Sequence, residues 1–350
     1  MSSPGGEISR VRGTALGGGA FVSGGVERFV LALIDLDRGR PSAEPVPTTF
    51  LPHGFAFHPS RPELVAVFEK HGPGACEVDL VQRRVIRAVP TVAARSFYGH
   101  GAYSPDGATL YAAETVRAGR SGVLVMRDAD TLAELGELPT YGRAPHDCAL
   151  VDGGAVMVVA HGGGALDDAS PEAAPCVTWV ELASGKLLER MTLASPRFNA
   201  GHVALGAGGD LALVSAPRDG LDPARSLGAL TLRPAGGRAR TVDAPRQVIE
   251  RMKGETLSVL LDEARGLVAA TNPTGDLVSF WRMDGACVGG MSTRAPRGVA
   301  LSLDGAWLLV SHLSERAPRL TALDANTLSP NGFYVDPSFV TGSHLAVHAV

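Results

Sequence analysis

The sequence predicts an all-β fold, a seven-bladed β-propeller with four-stranded antiparallel blades. Two observations lead there: short strand-like runs joined by glycine turns recur along almost the whole chain, and a histidine opens most of the recurring units. The clearest units are HGFAFHPSRPELVAVFEK and HGAYSPDGATLYAAET. The second half returns in SLDGAWLLVSH, VDGGAVMVVAH and GAGGDLALVSA. Asp-Gly and Gly-Gly between apolar runs are hairpin signals, because glycine tolerates positive φ. A third run follows in VLVMRDADT, CVTWVEL, LVSFWRM and RLTALDA, and a more polar fourth in ELGELPT and KLLERMTL. Four strands in about 40 to 55 residues is the size of a propeller blade.

The residues that open the first strands are His53, His100, His146, His202, Glu255, Arg297 and His344, at intervals of 47, 46, 56, 53, 42 and 47. The register around Glu255 and Arg297 slips by about one residue. Only six residues follow His344, enough for one innermost strand. The N-terminal run VERFVLALIDLD is expected to help complete that last blade, since a sheet closed from both ends of the chain leaves no open edge. Residues 25–350 are accordingly expected to form one propeller domain, and residues 1–24 a flexible N-terminal segment. GGGALDDASPEAAPC and PRDGLDPARSLG read as surface insertions in blades 3 and 4. VDAPRQVIERMKGE fits either a helical turn or an outer strand.

Composition narrows the function classes. Hydrophobic residues make up 45 %, and 32 basic against 36 acidic side chains give a net charge of −4. This is not the basic footprint of a nucleic-acid binder. No apolar run reaches the roughly 18 residues that cross a bilayer, so no membrane insertion is expected. Cys76, Cys148, Cys176 and Cys287 stand far apart and read as packed thiols. The triple glycines Gly17–Gly19 and Gly162–Gly164 lack the strand-to-helix setting of a phosphate loop. The visible start has no basic patch followed by a long apolar stretch, so no signal peptide is expected in the chain as it stands.

In a propeller the innermost strands surround the central axis, and their opening residues ring one mouth of the channel. The loops between second and third strands return to the same mouth. The first ring is expected to hold His53, His100, His146, His202 and His344, with Glu255 and Arg297 in the other two blades. The second holds Glu69, Lys70, Glu114, His161, Arg218, Asn272 and His312. Imidazoles gathered round a narrow axis cannot all be protonated, because like charges repel. A shared transition metal resolves this, since neutral imidazole is a good ligand. Iron or copper comes first and zinc third. His161 and His312 are candidate additional ligands, and Glu114, Glu255 and Arg297 candidate catalytic groups. Asp147 should face away from His146 and orient a neighbour rather than ligate. Arg297, Arg218 and Lys70 at the mouth could hold a small anionic ligand or a metal chelate. A metal-dependent oxidoreductase or an iron- or copper-handling protein is one function class. The other is a metal-free propeller that binds a ligand or protein, with a lactonase-like hydrolase as a variant.

The segments FLPHGFAFHPSRPE, FYGHGAYSPDGATLYAAET, GRAPHDCAL, VVAHGG and GHVAL resemble the bacterial domain-of-unknown-function family 1513, a YVTN-like seven-bladed propeller group. The resemblance spans roughly residues 25–350, and the recurring histidine matches His53, His100, His146 and His202. It implies a periplasmic, iron-uptake-associated protein with a partner of iron-uptake or haem-peroxidase type. The location would be cytoplasmic if the visible N-terminus is native.

Overall fold

The computed structural model describes residues 11–350. They form seven four-stranded antiparallel sheets arranged in a ring. From blade 1 to blade 7 the inner strands are Pro52–Phe57, Arg95–Tyr103, Pro145–Val151, Val203–Leu205, Val259–Asp262, Val299–Leu301 and Leu345–His348. In six blades each strand pairs with the next in the chain. Blade 7 has the order Leu345–His348, Thr14–Ser23, Val26–Asp35, Ala43–Thr48, so both chain ends close the ring.

The burial pattern follows from this stacking. Second strands such as Leu211–Ser215 and Val156–His161 are buried throughout, because both faces of the sheet meet a neighbouring blade. The fourth strand Arg84–Ala88 alternates exposed and half-buried residues, as an outer edge should. Between blades 1 and 2, Phe68 packs on Phe97 with Ala66 and Leu110 around them. Between blades 7 and 1, Leu16, Leu31, Val65 and Val78 form the equivalent layer, so the last blade is held to the first by the same kind of apolar contact.

The expected domain boundary moves. Thr14–Ser23 is a full strand of blade 7, paired to Leu345–His348 on one side and Val26–Asp35 on the other. The propeller therefore begins before residue 25, and only residues 1–10 of the expected N-terminal segment lie outside the described residues. Glycines masked the strand signal in TALGGGAFVS. They are there because blade 1 presses close: a Cβ on Gly18 would lie 1.9 Å from the Pro52 carbonyl oxygen. The blade 3 insertion holds a short 3-10 turn at Pro171–Ala173. The ambiguous segment after blade 4 is one helical turn, Arg246–Ile249.

Candidate metal centre

Four histidines of the first ring sit where their strands depart from regular pairing, and His344 directly precedes the strand Leu345–His348. In blade 1, Pro52 pairs with Glu69 and Gly54 with Phe68, leaving His53 as an extra residue. In blade 3, Pro145 pairs with His161 and Asp147 with Ala160, leaving His146. In blade 2, Tyr98, Gly99 and His100 lie between the pairs Phe97–Glu114 and Gly101–Ala112. In blade 4, Gly201 donates to the Val214 carbonyl and Val214 donates to that of His202, so two residues face one. A bulge of this kind re-aims a side chain out of the regular alternation, here toward the axis.

The same register exposes a correction. Thr271 exchanges backbone bonds with Leu257 and Ser258, and Ser311 with Arg297 and Gly298. The residue just before regular pairing resumes is therefore His53, His100, His146, His202, Ser258, Gly298 and His344 in blades 1 to 7. Glu255 lies three residues before the ring position of blade 5, and Arg297 one residue before that of blade 6. Without a histidine in those blades, the sequence had no landmark at the bulge.

The imidazoles converge. One nitrogen from each of His53, His100, His202 and His344 lies within 4.8 Å of the others, a buried four-histidine cluster able to chelate a metal ion. His202 is its hub. Its Nε2 stands 2.8 Å from that of His344, 2.9 Å from that of His146 and 3.3 Å from that of His53. Its Nδ1 donates to the Leu257 carbonyl oxygen at 2.5 Å, which leaves the lone pair on Nε2. His100 is fixed in the same sense. Its Nδ1 lies 2.9 Å from Oδ1 of Asp147, while its buried Nε2 has no hydrogen-bond partner. Asp147 thus orients a neighbour, as its place on the strand suggested. Burial, joined by the neighbouring imidazoles, holds His53, His146 and His344 well below the usual imidazole range. Burial likewise brings His202 down to about 3. These rings are neutral, the form that ligates metal.

The second expected ring does not converge in the same way. Glu114 is fully buried, and its oxygens accept from Arg127, Arg95 and the Thr91 hydroxyl. It neutralises two guanidiniums within the fold and is not brought to the imidazoles. His161 packs against Gly142, with Nδ1 3.8 Å from the Cys176 sulfur, and burial takes it to about 3. His312 spends both ring nitrogens on its own blade, on the Leu313 carbonyl and the Thr321 hydroxyl. Arg218 donates to the carbonyls of Gly164 and Ala173. At the mouth remain Lys70 and Glu255, whose Nζ and Oε1 lie 4.0 Å apart. Sequence reasoning passed over Tyr98. Its ring meets His146 edge-on at 5.7 Å and His71 at 4.3 Å. The signal in the sequence was its place two residues before His100.

Fold and site together define a seven-bladed propeller with a multi-histidine centre at one mouth of its channel. The family described as "Protein of unknown function (DUF1513)" matches residues 46–339, and the chain belongs to it. No curated protein matches the sequence. Among solved structures, hydrazine synthase from Kuenenia stuttgartiensis is similar in fold. Its TM-score is 0.65 at 14% identity, covering 93% of this chain and 99% of that one. A hypothetical selenium-binding protein from Sulfolobus tokodaii gives a TM-score of 0.68 at 12% identity, covering 96% and 93%. At such identities the likeness concerns the fold alone.

Proposed function

We propose that the protein binds one transition-metal ion through His53, His100, His202 and His344, with His146 against the hub as a further candidate ligand and iron or copper preferred to zinc. The observation that carries this is the crowding at His202. A neutral imidazole with Nδ1 committed as donor has one lone pair on Nε2, yet three other imidazole nitrogens lie within 3.3 Å of that atom. One lone pair cannot serve three partners, whereas a shared cation can. The spacing agrees. Two nitrogens each about 2.1 Å from one ion stand about 3.0–3.4 Å apart at octahedral or tetrahedral angles. The unpartnered Nε2 of His100 and the carboxylate behind its Nδ1 complete the pattern of a metal-bound histidine.

A thiolate-free, imidazole-rich donor set suits iron, copper or zinc. Blades 5 and 6 contribute no imidazole, which leaves one side of the shell to a ligand. That supports an oxidoreductase, or a metal-handling protein that receives a small anion or a chelate at the mouth. Nothing in the centre favours the metal-free or lactonase-like alternative, since Glu114 is committed to Arg95 and Arg127. A periplasmic location and a partner of iron-uptake or haem-peroxidase type rest on the family resemblance. Among the described residues no helix is long and apolar enough to cross a membrane.

The test is elemental analysis of protein purified without a nickel column and then supplied with iron, copper or zinc. One ion per chain is expected, lost when His202 and His344 are both replaced by alanine. No stoichiometric metal under any supplementation would overturn the proposal.

A further inference from the structure

The histidines occupy a continuous arc. Blades 7, 1, 2, 3 and 4 supply them, and blades 5 and 6 put Ser258 and Gly298 at the equivalent position. Imidazole ligates a metal as a neutral donor, and among the described residues the carboxylate tied to the arc is Asp147. A divalent ion held there would keep most of its positive charge, and that charge would face the arc's open side.

Among the described residues, two ion pairs connect blades that are not neighbours. Lys70, from the loop after the second strand of blade 1, reaches Glu255, from the loop leading into blade 5. Blades 1 and 5 are as far apart as a seven-membered ring allows, so this pair must cross the mouth. Arg120 of blade 2 meets Asp219 of blade 4 at 3.4 Å, spanning blade 3 in the same manner. The Lys70–Glu255 contact is also a loose one. It is 4.0 Å long, both side chains are more than a third exposed, and such pairs contribute little to stability.

We infer that the Lys70–Glu255 pair is an electrostatic gate that admits small monovalent anions to the open side of the metal centre. This rests on the proposed metal site. Glu255 holds the ammonium while no ligand is present. An incoming anion takes the place of that carboxylate beside Lys70 and reaches the ion from the side where blades 5 and 6 offer no imidazole. The class is small anions of the size of azide or formate. A bulky chelate would also have to part Arg120 from Asp219, and a cation would meet both the ion and Lys70.

The test uses copper- or iron-loaded protein, with metal content measured first. Azide is titrated at fixed ionic strength and followed by its charge-transfer absorption. Lys70→Gln is expected to weaken azide binding about threefold to tenfold, and Glu255→Gln to tighten it by a comparable factor. Neither residue ligates the ion, so metal content should stay at the wild-type value in both variants. Equal azide affinity in all three loaded proteins would overturn the gate while leaving the metal site standing. So would tighter binding in Lys70→Gln. A wild-type chain that takes up no metal would instead remove the site on which the gate depends. Ethylammonium in place of azide should produce no spectral change, and a saturable change would overturn the assignment of anions.

Discussion

His100 and Asp147 lie on different blades, yet Nδ1 of the one is 2.9 Å from Oδ1 of the other. The carboxylate is already fixed when it meets the ring. Oδ1 also accepts from the Cys148 backbone N–H, and Oδ2 accepts from that of Val203. Val203 directly follows His202. One buried anion therefore sets the tautomer of a ring on blade 2 and tethers the backbone beside the hub on blade 4.

Asp147→Asn tests that relationship. An amide oxygen at the Oδ1 place can still accept from His100 and Cys148, but it is a neutral and weaker acceptor, and the NH2 group then faces the Val203 N–H. The Nδ1–H bond weakens, His100 becomes a poorer donor to metal, and the backbone beside His202 loses its tether. Affinity is expected to fall about 10- to 100-fold with the fold intact. Competition against a chelator of known strength measures it, with circular dichroism as the control. Unchanged affinity would deny Asp147 a positioning role.

Replacing histidines one at a time should separate the centre from its surroundings. His202→Ala removes the hub and is expected to reduce bound metal severalfold or more. His312→Ala breaks bonds only to Leu313 and Thr321 and should leave metal content at the wild-type level. Equal metal loss in both variants would place the ion elsewhere.

Acid should destabilise the metal-free protein through the buried rings. The pKa values of His53, His146 and His202 are lowered in the folded state, chiefly by burial, from an ordinary value of 6.5. Above pH 6.5 neither state carries these protons and nothing is lost. Below it the unfolded chain takes up protons that the folded chain refuses, so stability falls as pH drops. The fall is about 1.4 kcal/mol per pH unit for each ring that stays neutral. Urea unfolding at pH 7.5, 6.5 and 5.5 should show little change over the first step and a clear loss over the second. Replacing His53 with Asn should flatten that loss.

Glu114 offers a contrast between structural and chemical roles. Glu114→Gln leaves the guanidiniums of Arg95 and Arg127 without their shared buried anion. Breaking a buried pair from one side costs about 3–5 kcal/mol. Chemical denaturation should show that loss while metal content per folded chain stays constant. A stable variant with altered metal binding would return Glu114 to the centre.

Much of this was legible in the chain itself. Glycine turns between alternating runs report local backbone geometry, so the blade repeat, the count of seven and closure by both ends follow from residues near one another in sequence. The histidines His53, His100, His146, His202 and His344 were legible too, because each opens a unit. Asp147 was assigned to the face opposite His146 by strand alternation alone. Less visible was the strand Thr14–Ser23, since its glycines are dictated by the close approach of blade 1 and not by any local preference.

Tertiary structure decided which side chains point to the axis. Alternation has a period of two, so one extra residue in a strand reverses the face of everything beyond it. The bulges that turn the imidazoles inward also put Ser258 and Gly298 in the ring positions for which Glu255 and Arg297 were candidates. Glu114, His161 and His312 lie within the last residues of second strands and not in the loops beyond them, and packing between blades and bonds within them claim their polar atoms. Lys70 and Glu255 stand 185 positions apart in the chain, and only closure of the ring brings them across the mouth. Local propensities specify where a strand starts and turns. Which face it shows, and what it meets there, depends on contacts that exist only after the blades have stacked.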